Sequence, residues 1–168
     1  LHGSGPKEQE WATGLILGNR FQDGPSLYFI PQIPNEGDYY RWWQVAKQFA
    51  WEKLIRQALV EGNVDANRLY VFGISEGGYG SQRLASFYAD YWAAAGPMAG
   101  GEPLKNAPVE NCANIGFSFL TGADDTGFYR NILTYYTQIA FDSAQLARPL
   151  DADKRPLFVH RINLLPNM

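Results

Sequence analysis

Five residues near the middle of the chain, Gly73-Ile74-Ser75-Glu76-Gly77, have types and spacing suited to acyl transfer. They fit the pattern G-x-S-x-G, and the apolar run Leu69-Tyr70-Val71-Phe72 leads into them. A strand that passes into a helix through so tight a turn holds its serine in a strained backbone conformation. The Ser75 Oγ then projects above the sheet edge and does not pack into the core. Gly73 and Gly77 stand two residues either side, where strand and helix backbones crowd and a Cβ would clash. Gly78 and Gly80 are expected to extend this small surface against the neighbouring strand. The helix N-terminus beneath Ser75 favours developing negative charge. The N–H of Glu76, directly after the serine, is a candidate donor to an oxyanion.

Two further motifs bear on the same chemistry. His2-Gly3-Ser4-Gly5 is a short loop able to aim backbone N–H groups at a reacting carbonyl oxygen, where charge builds in a tetrahedral intermediate. Gly122-Ala123-Asp124-Asp125-Thr126 follows an apolar run and offers an acid to orient a histidine and stabilise its imidazolium form. Either aspartate could serve, or both could belong to a turn that caps the next helix. The chain contains two histidines. His2 lies in the HGSG loop. His160 follows the acid in sequence but falls inside an apolar stretch, five residues before Leu165. At the rise of an extended chain that is about 16 Å from the strand end where the serine must sit. A general base must reach within ~3 Å of the proton it takes, so His160 reads as a packed strand residue.

These groups need elements to position them. Hydrophobic patterning predicts a short helix over 11–21, a strand over 26–30 and a helix over 39–60. In the last of these, Trp42, Val45, Ala46, Phe49, Ala50, Leu54 and Ala58 share one face, with Arg41, Lys47, Lys53 and Arg56 available for the wet side. Asp38 is its expected N-cap and Gly62 its stop. Strands follow over 67–73, 91–95, 115–121 and 156–165, with helices over 76–89 and 126–146 and a Gly/Pro-rich loop over 96–108. Strands that alternate with helices predict an α/β fold with a mostly parallel sheet and helices on both faces.

In this order HGSG, GISEG and a strand followed by GADD resemble the α/β-hydrolase superfamily, and more narrowly the bacterial serine esterase and prolyl-oligopeptidase-like catalytic domains. The resemblance spans nearly the whole chain. It implies Ser75 as nucleophile and Asp125 as the triad acid, since that family's acid usually stands three residues after the glycine, here Gly122; Asp124 is the second choice. It implies the N–H of Ser4, or failing that of Gly5, as oxyanion donor together with Glu76, and a structural role for His2. In that family the histidine follows the last strand, which places it beyond Met168. The strand that should precede HGSG is represented by Leu1 alone, and in the family it lies between those corresponding to SLYFI and NRLYVFG. The expectation is therefore that residues 1–168 form a single catalytic domain cut from within a longer chain, with early strands and the C-terminal end missing. The implied activity is cleavage of a carboxylic ester through an acyl-enzyme, without cofactor or metal. A serine peptidase of the prolyl-oligopeptidase type, or an inactive hydrolase fold used for binding, would carry the same motifs.

Composition narrows the alternatives. Lys and Arg number 14 against 17 Asp and Glu, a net charge of −3 with no basic stripe of the kind a nucleic-acid binder shows. A hydrophobic fraction of 46% suits a packed domain. No apolar run approaches the ~20 residues of a membrane span. One cysteine, Cys112, precludes an internal disulfide. The partner that the resemblance implies is a small-molecule ester or a peptide substrate. The pairs Tyr39-Tyr40 and Trp42-Trp43 read mainly as anchors for the long helix, and Tyr79 as packing. Asp151-Ala152-Asp153 reads as a solvated turn, since it lacks the glycine of a calcium loop.

Overall fold

The computed structural model describes residues 1–20, 26–32, 41–62 and 64–168. Its frame is a four-stranded sheet, β1 (Tyr70–Ile74), β2 (Ala94–Met98), β3 (Gly116–Gly122) and β4 (His160–Leu165), ordered β1-β2-β3-β4. All three pairings are parallel, with Val71 opposite Ala95, Ala95 opposite Phe117 and Phe119 opposite Ile162. Helix α3 (Glu76–Phe87) connects β1 to β2 and packs on both. Helix α4 (Arg130–Ala147) connects β3 to β4 and packs on that pair. Right-handed crossovers between strands laid down in sequence order put their helices on one face. Alternate side chains on that face form the core: Val71, Ala95, Phe117, Phe119 and Ile162 meet Ala85 of α3 and Phe141 of α4. Phe117 and Phe141 stack with centroids 4.5 Å apart. Burial of each large apolar side chain stabilises the fold by about 1.5–3 kcal/mol. On the other face Tyr70, Ser118 and Arg161 are exposed.

Two helices precede the sheet: α1 (Lys7–Gly18) and α2 (Val45–Val60). Helix α2 starts later than expected, with Gln44 at its N-cap and not Asp38. Asp38, Tyr39 and Tyr40 lie outside the described residues. Its seated face also differs from the expected stripe. Val45 and Phe49 are each 68% exposed, while Ile55 is buried. Two bonds turn the helix this way: the Trp51 Nε1–H donates to the Trp42 carbonyl at 3.1 Å, and the Tyr88 hydroxyl donates to the Gln48 carbonyl at 3.1 Å. Gly62 ends the helix with φ +75°, as a C-terminal stop requires.

The strand expected over 26–30 does not form. Tyr28 and Ile30 turn inward against Gly18 and Gly14 of α1, and Leu27 and Phe29 point out. The alternation is that of a strand, but no strand backbone among the described residues lies alongside. The nearby edge of β1 bonds Leu1 instead: the Leu1 nitrogen donates to the Phe72 carbonyl at 2.6 Å, and the Ile74 N–H donates to the Leu1 carbonyl at 3.2 Å. No helix of the described residues is long and apolar enough to cross a membrane.

Candidate active site

β1 ends at Ile74 and α3 begins at Glu76, so Ser75 alone makes the turn. Its backbone has φ 56° and ψ −117°, a region that costs a residue with a side chain about 1–3 kcal/mol. The Ser75 N–H donates to the Met98 carbonyl at 3.0 Å, and the Tyr79 N–H donates to the Ser75 carbonyl at 3.1 Å, which starts the helix. A Cβ at Gly73 would overlap the Gly77 carbonyl, as the crowding argument requires. A Cβ at Gly77 would overlap the carbonyls of Leu1 and His2, so this glycine admits the HGSG loop. Gly78 does face β2, through the Met98 carbonyl, but Gly80 faces the Trp42 indole and no strand.

The HGSG loop crosses the elbow. A Cβ built on Gly3 would stand 3.4 Å from the Ser75 Cβ. His2 is buried below the loop, its ring edge-on to Trp42 with centroids 4.7 Å apart. The Trp42 Nε1–H donates to the His2 carbonyl at 3.0 Å. Burial pushes the His2 imidazole below its ordinary range, and the ring stays neutral at pH 7. His2 Nδ1 is 2.6 Å from the Gly3 carbonyl, an acceptor, so this nitrogen carries the proton. The N–H groups of Gly3 and Gly5 donate to Glu10 Oε2 and Oε1, each at 2.9 Å. The Gly5 N–H is therefore occupied, while Ser4 lies exposed between the two. On the other flank, Glu76 offers its N–H at the start of α3, one of the helix N–H groups that lack an intrahelical acceptor. Burial pushes the Glu76 carboxyl above its usual range, and Arg41, 3.7 Å away, draws it back.

Asp124 and Asp125 sit just past the C-terminal end of β3, on the same sheet edge as Ser75. Asp125 is partly buried and held from both sides by Arg130: Nη2 donates to Oδ1 at 2.6 Å and Nε to Oδ2 at 2.7 Å. The Asn131 N–H donates to the Asp125 carbonyl at 3.1 Å, so the backbone is pinned as well. Burial pushes the Tyr79 phenol up and the Arg130 guanidinium pulls it back, although no hydrogen-bond partner meets its hydroxyl in good geometry. Asp124 is exposed. Its N–H donates to the Met168 carbonyl at 2.8 Å, so the residues after β4 return over the acid turn.

His160 is not part of this assembly. It is the first residue of β4, opposite Phe117 at the start of β3, and so lies at the opposite end of the sheet. Its Nε2 is 2.9 Å from Asp142 Oδ1 and its Nδ1 2.6 Å from the Phe158 carbonyl. Trp42, expected to anchor the long helix on the sheet, precedes α2 and is instead buried against Gly80 of α3 and the His2 ring, while Trp43 lies under the Arg83 guanidinium at 4.4 Å. Asp151 and Asp153 form an exposed turn with Arg155. Sequence reading missed Glu10 and Arg130. Acidic residues are common in a helix's first turn, and arginines on helix surfaces, so neither position carried a signal.

The sheet resembles a solved structure described as a thermostable esterase, with a TM-score of 0.54 and 24% sequence identity, covering 72% of this chain. The chain spans 28% of that protein's length, and the likeness is one of fold. No family model and no curated protein matches the sequence.

Proposed function

We propose that residues 1–168 belong to a single catalytic domain of a serine hydrolase that cleaves a carboxylic ester through an acyl-enzyme. One observation carries the proposal: Ser75 stands in a left-handed backbone conformation between a parallel strand and a helix, with the HGSG loop beside its Cβ. A serine whose role was packing would not need this costly geometry. The fold shared with an esterase supports the same reading.

In this mechanism the Ser75 Oγ attacks the ester carbonyl while a base takes its proton. The carbonyl oxygen gains negative charge and is held by the N–H groups of Ser4 and Glu76. Collapse of the tetrahedral intermediate expels the alcohol, which receives the proton from the base. Water then repeats the sequence and releases the acid. Asp125 orients the base and stabilises its charged form. Both histidines of the chain are committed to other partners. The resemblance to the hydrolase family implies as base a histidine that follows Met168, the residue whose carbonyl accepts the Asp124 N–H.

The test is turnover of short-chain aryl esters by the full-length protein and by its Ser75→Ala variant. The wild type should turn over and the variant should lose activity by about 10⁶, the scale for removal of an acyl-transfer nucleophile. A fluorophosphonate probe should label Ser75 in the wild type only. Unlabelled Ser75, or a variant as active as the wild type, sinks the proposal.

A further inference from the structure

An oxyanion donor works only if its N–H is fixed before the charge develops. Short Gly/Ser loops are poor at this, because glycine leaves the backbone free. In this loop the freedom is removed by one side chain. The two oxygens of the Glu10 carboxylate accept the N–H groups of Gly3 and Gly5, the residues on either side of Ser4. Hydrogen bonds to an ionised acceptor are the stronger kind. Neither bond uses the Ser4 N–H, which lies between them. A second constraint acts on the same peptide. The Gly3 carbonyl accepts the His2 Nδ1–H at 2.6 Å, and in a planar trans peptide the Ser4 N–H must point the opposite way.

Glu10 is itself well placed for this. It lies in the first turn of α1, whose N-terminus favours negative charge. It also stands at the site: the position a Gly3 Cβ would occupy is 3.1 Å from Glu10 Oε1 and 3.4 Å from the Ser75 Cβ. A free carboxylate so close to a forming oxyanion would repel it. A carboxylate whose oxygens already accept two N–H bonds has part of its charge offset by those dipoles.

We infer that Glu10 is a positioning residue: its carboxylate clamps the HGSG loop through Gly3 and Gly5 and so presents the Ser4 N–H to the oxyanion. The inference rests on the serine hydrolase reading and adds a residue outside the triad and the elbow motif. It makes Glu10 matter in the transition state more than in the ground state, so its loss should lower kcat and leave KM nearly unchanged.

The test compares Glu10→Ala and Glu10→Gln in the full-length protein. Active sites are counted with the fluorophosphonate probe, and kcat is expressed per labelled serine. Glu10→Ala should lower kcat per site by about 10²–10³, the cost of one oxyanion donor, with KM changed less than about threefold. Glu10→Gln keeps one acceptor oxygen and should lose about tenfold. Inhibition by an aryl boronic acid, whose adduct places an oxygen near the oxyanion position, should weaken in parallel with kcat. A merely structural role would reduce the number of labelled sites and leave kcat per site intact, and that result overturns the inference. So does a loss confined to KM. If Glu10→Ala does not fold, Glu10→Gln decides, and an unchanged kcat per site overturns the inference. A wild type that neither labels nor turns over removes the hydrolase reading first, and this inference with it. An active wild type with indifferent Glu10 variants removes the inference alone.

Discussion

The two ends of the sheet each hold an aspartate in a short, charge-assisted contact, and the contacts differ in kind. At the end where β3 stops, Asp125 is gripped by Arg130 at 2.6 and 2.7 Å, on the edge that carries Ser75. At the end where β4 starts, Asp142 meets His160 at 2.9 Å. By residue type the second pair looks more like part of a triad. The direction of the backbone argues against that reading. Parallel strands that run into helices collect helix N-termini at their C-terminal edge, where N–H groups lack acceptors and negative charge is stabilised. Ser75 stands at such a terminus. At the opposite edge the His160 ring meets two acceptors, the Asp142 carboxylate and the Phe158 carbonyl. In the proposed mechanism the end of the strand that a residue occupies decides whether it takes part in chemistry, and the same residue types at the other end serve packing.

Asp125→Asn tests this contrast most strongly. The substitution keeps the volume and removes the charge; in the proposed mechanism the base then loses its orientation, and kcat should fall by about 10⁴. Circular dichroism and the thermal midpoint check that the variant is folded. Asp142→Asn, in the same assay, should leave kcat within twofold. Should Asp124→Asn abolish turnover while Asp125→Asn retains it, the exposed aspartate is the acid and the Arg130 clamp is structural.

His160→Ala has the next largest expected effect, and it falls on stability. The ring stacks on Phe141 with centroids 5.1 Å apart and is 8% exposed, whereas Asp142 is 59% exposed. The solvated partner makes the contact with Asp142 weak. The bond to Phe158 and the ring packing remain, and their loss should cost about 2 kcal/mol, read as a lower denaturation midpoint. Turnover per folded molecule should not change. A loss of activity as large as that of Asp125→Asn would reverse the assignment of the two ends.

Much of the sheet was legible in the sequence, because buried parallel strands announce themselves as apolar runs between helical patterns. The elbow was legible for the same reason: G-x-S-x-G followed such a run. The misreadings share a cause. The 26–30 segment alternates like a strand, but alternation reports only which side chains turn inward. A strand also needs a neighbouring backbone, and here the β1 edge bonds Leu1. The α2 stripe was read from spacing, yet Val45 and Phe49 are exposed because Trp51 and Gln48 are tied to Trp42 and Tyr88. Glu10 and Arg130 make contacts five or seven residues from the groups they hold, and no local pattern marks such a pairing.

Ser75→Gly gives the smallest effect and asks whether the two ends also differ in how backbone strain is borne. Both ends have residues with side chains at positive φ, among them Ser75 at 56° and Phe158 at 53°. Phe158 is 1% exposed, and burial of its ring in the core offsets the backbone cost. Ser75 has no ring to bury. Its geometry is imposed by the Met98 carbonyl bond and by the start of α3. Glycine adopts such a conformation freely, so Ser75→Gly should relieve about 1–3 kcal/mol of strain. The greater freedom of glycine in the unfolded chain takes back about 0.5–1 kcal/mol. The variant should therefore be more stable by about 1 kcal/mol in urea denaturation, and inactive. A gain in stability from deletion of the proposed nucleophile would mean that the elbow is kept for chemistry at the expense of the fold. A loss would mean that the serine side chain contributes packing at that end too, and the contrast with Phe158 would disappear.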